Sequence, residues 1–274
     1  MAEKIRAFQT KNDSVLKRRY PTSALKDNRP KLQRMIPVIP QAAPKVNIEV
    51  VRLFKDETAP WDRYQFCTKL DQAGQGRTAY SKDGMFNEML VKEVKVHGKE
   101  WLSRVKEINH KNIVALHEAL YYQGSIYFFY KIMDVSLAQV FSTPLGTLRF
   151  HEVAAFSREI LQGLSYIHDL RISHGQLSSE NVLLSAETAE IKIANFGTSM
   201  LKQEYEAQTD IRSVGTMITE CLEPHMMLRH GDIPISETFP DNLREFQTRT
   251  RTTSAVELLK VGHKASIFSY CILL

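Results

Sequence analysis

What narrows the fold most is a change of hydrophobic period part-way along the chain. Up to about residue 132, apolar residues come in short runs broken by turn residues; beyond about 149 they recur at three and four. Val153, Phe156, Ile160, Leu164 and Ile167 line up as one stripe, which predicts a long amphipathic helix over about 149–168. Ahead of it, residues 64–95 read as strands, with a turn at Ala73-Gly74-Gln75-Gly76 and a strand over 88–94. Leu102, Val105 and Ile108 are spaced by three and predict a short helix over 99–108. Two further strands are expected at 113–116 and 126–132, with Gly124 in the turn between them. Beyond the long helix, 181–184 and 190–194 read as two short strands joined by a hairpin, and 210–222 as a second apolar helix. A last helix is expected from Ser254, where Ser254 and Glu257 form a capping box ahead of Leu258 and Leu259. Strands first and helices afterwards predict two lobes of different class in an α+β protein.

Composition bounds the rest. The chain has 274 residues, enough for one large domain or two small ones, and an apolar share of 43% supports a real core. No run is long and apolar enough to span a membrane, and the charged N-terminus lacks the apolar run of a secretory signal. Cys67, Cys221 and Cys271 lie far apart, which argues against a zinc site or a disulfide scaffold and for a reducing, intracellular setting. The net charge of +5 is concentrated: residues 1–50 hold 11 Lys/Arg against 4 Asp/Glu, so the other 224 sum to −2. Lys17-Arg18-Arg19 and four prolines (Pro30, Pro37, Pro40, Pro44) make 1–61 read as a basic, largely disordered tail. An import signal or anionic-surface patch is the sharper alternative. The expected layout is therefore a tail over 1–61, a domain over 62–265 with lobes meeting near 132–133, and an apolar end over 266–274.

Four segments carry a family resemblance. Leu90-Val91-Lys92 resembles the protein-kinase strand whose lysine grips nucleotide phosphates. Ile172-Ser173-His174-Gly175-Gln176-Leu177-Ser178-Ser179-Glu180-Asn181-Val182-Leu183-Leu184 resembles the catalytic loop. Ile191-Lys192-Ile193-Ala194-Asn195-Phe196-Gly197 is similar to the strand and Asp-Phe-Gly motif, and Asp210-Ile211-Arg212-Ser213-Val214-Gly215 to the start of the central C-lobe helix. His110–Leu116 and Ser254–Lys260 are weaker matches, and all occur in the family's order over about 64–262. The resemblance implies a bilobal fold of serine/threonine protein-kinase type, with an antiparallel sheet and one helix in the N-lobe and a shortened, mainly helical C-lobe.

It also implies what the site has lost. Phosphoryl transfer rests on positioning, magnesium and charge neutralisation. Gln176 stands where the family has its catalytic aspartate, and an amide is no base at neutral pH. Ser178 stands in place of a phosphate-contacting lysine. Asn195 replaces the magnesium-binding aspartate while its partner Asn181 is kept, so a cation that prefers anionic oxygens is held weakly at best. Trp101 falls at the position of the helix glutamate that normally pairs with Lys92; Glu100 is adjacent but turned by about 100° on a helix. Gly74 and Gly76 match two of three loop glycines, although a plain hairpin explains them equally well. Leu90, Ser81 and Tyr130 alter the adenine pocket. Only residues 198–209 separate Gly197 from Asp210, so the activation loop and peptide platform are largely missing. Val105, Leu116, His174 and Phe196 match the internal hydrophobic spine, and Asp210 the residue that holds the catalytic-loop backbone.

The resulting expectation is a pseudokinase acting as a protein-interaction or scaffold module. It has no catalytic residues, no metal site, an unnamed protein partner and no nucleic-acid partner. The alternatives are a weak or atypical ATP-binding kinase resting on Gly74, Gly76, Lys92 and Asn181, and a shortened remnant without stable function. The terminal Cys271-Ile272-Leu273-Leu274 matches a prenylation pattern, which would bring in a membrane; an apolar tail continuing Ile267, Phe268 and Tyr270 is the plainer reading.

Overall fold

The structure, a computed structural model, describes residues 52–54, 59–106, 108–142, 148–185, 188–202, 204–224 and 235–264. The basic residues 1–50, the apolar end 266–274 and Cys271 lie outside them.

The N-lobe is a six-stranded sheet. Its strands are β1 (Arg52–Phe54), β2 (Tyr64–Asp71), β3 (Gln75–Ser81), β4 (Glu88–Lys95), β5 (Leu116–Tyr122) and β6 (Ser125–Lys131), in the spatial order β1-β5-β6-β4-β3-β2. β2 to β6 pair antiparallel, whereas β1 pairs parallel with β5. The segment expected to be tail therefore supplies a strand, followed by a helical turn, α1 (Pro60–Arg63). Neighbouring side chains tie this turn down: Glu118 is buried on β5, accepts from Tyr64 Oη at 2.6 Å and forms an ion pair with Arg63. Tyr64 stacks on Phe129 at 4.0 Å. A buried carboxylate is tolerated only with such partners.

Two local expectations shift. The helix expected over 99–108 is a 3-10 helix over Lys99–Arg104, opened by Gly98 in extended backbone and burying only Leu102. Val105 is already extended, although it and Ile108 are still buried. The strand expected at 113–116 begins only at Leu116. Ile113 instead bridges to Ile193 of the C-lobe, and Val114 N donates to Ile193 O at 2.9 Å. The short run reads as strand in either register, and tertiary pairing decided which.

The C-lobe is built around α3 (Phe150–Asp169). Its stripe of Val153, Phe156, Ile160, Leu164 and Ile167 is fully buried. At about 1.5–3 kcal/mol for each buried side chain, these five dominate the local energetics. Glu152 reaches back to Arg149 N at 2.8 Å to cap the helix. A small sheet of β7 (Val135–Ser136), β8 (Val182–Leu184) and β9 (Ile191–Ile193) carries the expected hairpin, and α2 (Leu137–Phe141) follows β7 directly. The chain continues through α4 (Gly197–Leu201), α5 (Ala207–Leu222), α6 (Asp241–Arg249) and α7 (Ala255–Lys264). The capping box forms, with Glu257 N donating to Ser254 Oγ at 3.3 Å. α6 was not expected from the pattern: it buries only Leu243, Phe246 and Gln247, too few to show a stripe. Among the described residues, no helix is long and apolar enough to cross a membrane.

Candidate functional site

The resemblance points to the cleft between the lobes, and the structure brings most of its expected residues together there. Asp210, fully buried in the first turn of α5, organises the lower wall. Its Oδ2 accepts from His174 N at 2.7 Å, its Oδ1 accepts from Gly175 N at 2.8 Å, and His168 Nε2 lies 2.9 Å away. His174 Nε2 donates to Ala194 O at 2.8 Å, while its Nδ1 accepts from Gln176 N at 3.3 Å. That pattern requires the neutral ring, and burial lowers its pKa accordingly. Phe196 packs edge-on against His174 at 5.6 Å and shares the main core with Val105 and Leu116.

The chemistry-bearing positions make different contacts. Gln176 is exposed, and its backbone oxygen accepts from Asn181 Nδ2 at 2.6 Å. Ser178 precedes the single 3-10 turn Ser179–Asn181 without a capping bond. Asn195 sits at φ 69, a left-handed conformation that asparagine tolerates. Its Oδ1 accepts from Lys92 Nζ at 3.2 Å. Lys92 also donates to the carbonyl of Ala73, so the turn at 73–76 is folded onto the lysine. Trp101 is not among the residues around Lys92; it carries the Arg104 guanidinium at 4.1 Å from its ring centre. Among the described residues, no carboxylate forms an ion pair with Lys92.

Burial lowers the pKa of Lys92 from 10.5 to about 8, opposed by the more distant charge of Asp71. Below pH 8 the lysine is protonated both folded and unfolded, and the folded state bears the full burial penalty. Between about pH 8 and 10.5 the folded lysine releases its proton while the unfolded one keeps it, so this group makes the fold more stable as pH rises. Urea unfolding of wild type and Lys92→Met across this window is expected to show their difference moving in favour of wild type. A difference independent of pH would mean the lysine is not strained by burial.

The space above Lys92 is largely filled. Leu90 and Tyr130, paired across β4 and β6, are each 3% exposed. Leu90 lies so close to Gly76 that a Cβ there would meet Leu90 Cδ1 at 2.7 Å. Gly197 is equally confined by Phe128, 2.7 Å from where its Cβ would stand. Sequence reasoning missed Gln72. Its Nε2 donates to Met133 O at 2.6 Å and its Oε1 accepts from Met133 N at 3.1 Å. Both polar groups of that peptide, on the segment joining the lobes, are thereby taken by the side chain beside the glycine turn. No sequence signal marks this clamp, because it exists only once the turn has folded down. One cavity there, lined by Gly74, Lys92, Tyr130 and Asn195 among others, measures 180 Å³. Ligand pockets ordinarily run from about 300 to 1,000 Å³.

The shortened segment after Gly197 completes the closure. α4 buries Met200 and Leu201, Leu201 O accepts from Arg104 Nη1 at 3.1 Å, and Ser199 Oγ donates to His174 O at 2.8 Å. As a magnesium–nucleotide site the cleft presents amides where the metal prefers anionic oxygens. Its two candidate metal ligands, Asn181 and Asn195, are neutral amides; Asn195 Oδ1 already accepts from Lys92 Nζ, whereas Asn181 is bonded through its Nδ2. Among the described residues there is no cluster of His, Cys, Asp or Glu able to hold a metal ion.

Comparison with known proteins identifies the family. The family model for the protein kinase domain matches residues 90–233, just over half of the chain. The chain is 38% identical over 100 residues to cyclin-dependent kinase 15 of Mus musculus, covering 36% of this chain and 23% of that protein. It is 32% identical over 145 residues to cyclin-dependent kinase 15 of Homo sapiens, covering 48% of this chain and 33% of that protein. The chain thus spans about a quarter to a third of the length of these curated relatives.

Proposed function

This chain belongs to the protein kinase domain family, and from that premise we propose that it is a member without phosphoryl transfer, working intracellularly as a protein-binding module. The observation that carries this reading is the neutral amide of Asn195, whose Oδ1 accepts from Lys92 Nζ at 3.2 Å where a metal-binding carboxylate would be needed. Gln176 offers no base and Asn195 no anion, so a nucleotide that entered would meet neither the proton acceptor nor the metal ligand that transfer needs. The fold-bearing contacts of Asp210, His174 and Phe196 support retention of the scaffold for its surface. The relatives' name links them to cyclins, and a cyclin-like protein is the first partner to test.

A second reading has specific support. The relatives matched are named as kinases, which favours an ATP-binding serine/threonine kinase with an atypical site. Lys92 and Asn195 also still meet across the cleft. Thermal melting at millimolar ATP and magnesium, run with a radiolabelled transfer assay, separates the two. The expected result is no shift and no incorporation above a Lys92→Ala control. Saturation at 100 times the dissociation constant would stabilise by about 2.7 kcal/mol, so tight binding could not escape detection. A clear upward shift with incorporation would establish the second reading.

A further inference from the structure

The 180 Å³ cavity beside Lys92 is lined by buried donors that lack acceptors. An ammonium has three N–H groups. Lys92 gives one to the carbonyl of Ala73 and one to Asn195 Oδ1, at 3.2 Å, and among the described residues the third has no acceptor. The group is 8% exposed and, with a pKa of about 8, cationic at pH 7. Tyr130 lines the same cavity and is 3% exposed. Burial raises its pKa, so the hydroxyl keeps its proton. The Gly197 backbone stands against its oxygen, and the hydroxyl proton reaches no acceptor among the described residues. Buried polar groups are ordinarily paired, so two such donors on one cavity need an explanation.

The neighbouring carboxylates do not supply one. Glu93, on the lining, is exposed and accepts from Ser125 Oγ at 2.7 Å. Asp71 is exposed and acts on Lys92 only as a more distant charge. The apolar part of the lining includes Val94 and the fully buried Phe128. Gly74 and Gln75 on the lining are exposed, so the cavity communicates with solvent. Its volume is well above the about 10–15 Å³ that admits one water, and below the about 300 Å³ of ordinary ligand pockets. A small anion therefore suits it better than a drug-sized molecule.

Charge and shape narrow the anion further. Two donors match the two oxygens of a carboxylate, and its single charge neutralises Lys92 without an excess. A phosphate brings about −1.5 to −2 at neutral pH. Lys92 is the one cation on the lining, so the second charge would be buried without a partner. A short alkyl group matches the apolar wall. We propose that the cavity is a binding site for a short aliphatic monocarboxylate, acetate or propionate in size, whose oxygens accept from Lys92 Nζ and Tyr130 Oη and whose alkyl end packs on Phe128 and Val94. The bound anion joins β4 and β6 to the segment at Asn195 and Thr198, which lines the same cavity. The proposal does not rest on the absence of phosphoryl transfer, because it follows from donors that the chain itself leaves unpaired.

Thermal melting of the full 274-residue chain at pH 7 tests it, with sodium acetate replacing sodium chloride at constant ionic strength and without nucleotide or magnesium. A ligand as small as acetate supports a dissociation constant of about 1 mM. At about 100 mM it should raise the melting temperature by about 5 °C or more over chloride. Acetamide, which keeps the shape without the charge, should leave the temperature unchanged. Lys92→Met should abolish the acetate shift. Tyr130→Phe removes one donor, and should weaken binding about tenfold and roughly halve the shift. Saturation transfer to the acetate methyl group, read by nuclear magnetic resonance, measures the same dissociation constants apart from any change in the protein's own stability. Should Lys92→Met fail to fold, Tyr130→Phe and the acetamide control carry the test. No shift beyond chloride, an equal shift with acetamide or phosphate, or acetate binding unchanged in both variants overturns the proposal.

Discussion

Asp210→Ala is expected to destabilise the domain by roughly 3–5 kcal/mol, the range for removing one partner of a buried charged network. The carboxylate is fully buried and serves three groups: His174 N, Gly175 N and the His168 ring. Without it, two backbone donors in the loop lose their acceptor in a dry site, and each unsatisfied donor costs about 1–3 kcal/mol. Against a total stability of about 5–15 kcal/mol for a domain, this is a large share. Urea unfolding with a fluorescence or circular dichroism readout measures it directly. Asp210→Asn, which keeps one acceptor oxygen, should fall between wild type and alanine. A loss below about 1 kcal/mol for the alanine variant would show that the loop is held by something else.

Phe196→Ala should cost about 3–5 kcal/mol, as removal of a buried phenylalanine does when the cavity cannot collapse. Phe196 is 2% exposed, lies edge-on to His174, and belongs to the core that joins the lobes through Val105 and Leu116. The informative comparison is Gln176→Ala. The resemblance puts Gln176 at the catalytic aspartate's position, yet its side chain is exposed and its structural hydrogen bond is made by the backbone, which alanine keeps. Its effect should stay within about 0.5 kcal/mol. If Gln176→Ala left the fold intact and abolished partner binding, the exposed amide would belong to the interface, and the loop would be a binding element in its own right.

Much of this architecture was legible along the chain because its signals are local. The stripe over 153–167 marks one buried helical face, and the capping box at Ser254 marks a helix start, whatever the rest of the chain does. The kinase-like motifs were readable in the same way, since each is a short run, and the match over 90–233 places the chain in that family. The expectation of amides at Gln176 and Asn195 in place of the family's carboxylates needed only residue identity. Whether they silence the protein is a separate matter, which the relatives' naming as kinases leaves to the transfer assay.

The sequence by itself determined the order of most elements, the buried stripe of α3, the family, and which residue types stand at Gln176, Asn181 and Asn195. Only the tertiary structure decided how those positions are filled. The Gln72 clamp on Met133 joins residues 61 apart, and Lys92 meets Asn195 across 103. No periodicity encodes such pairs, because they depend on where two lobes come to rest. The parallel strand at Arg52–Phe54 was hidden for the same reason: three residues carry no period, and their place was set by the open edge of β5. The 3-10 helix at Lys99–Arg104 reflects the same limit. A spacing of three fits both helix types over one turn, and the packing of Leu102 and the extended chain at Val105 made the choice.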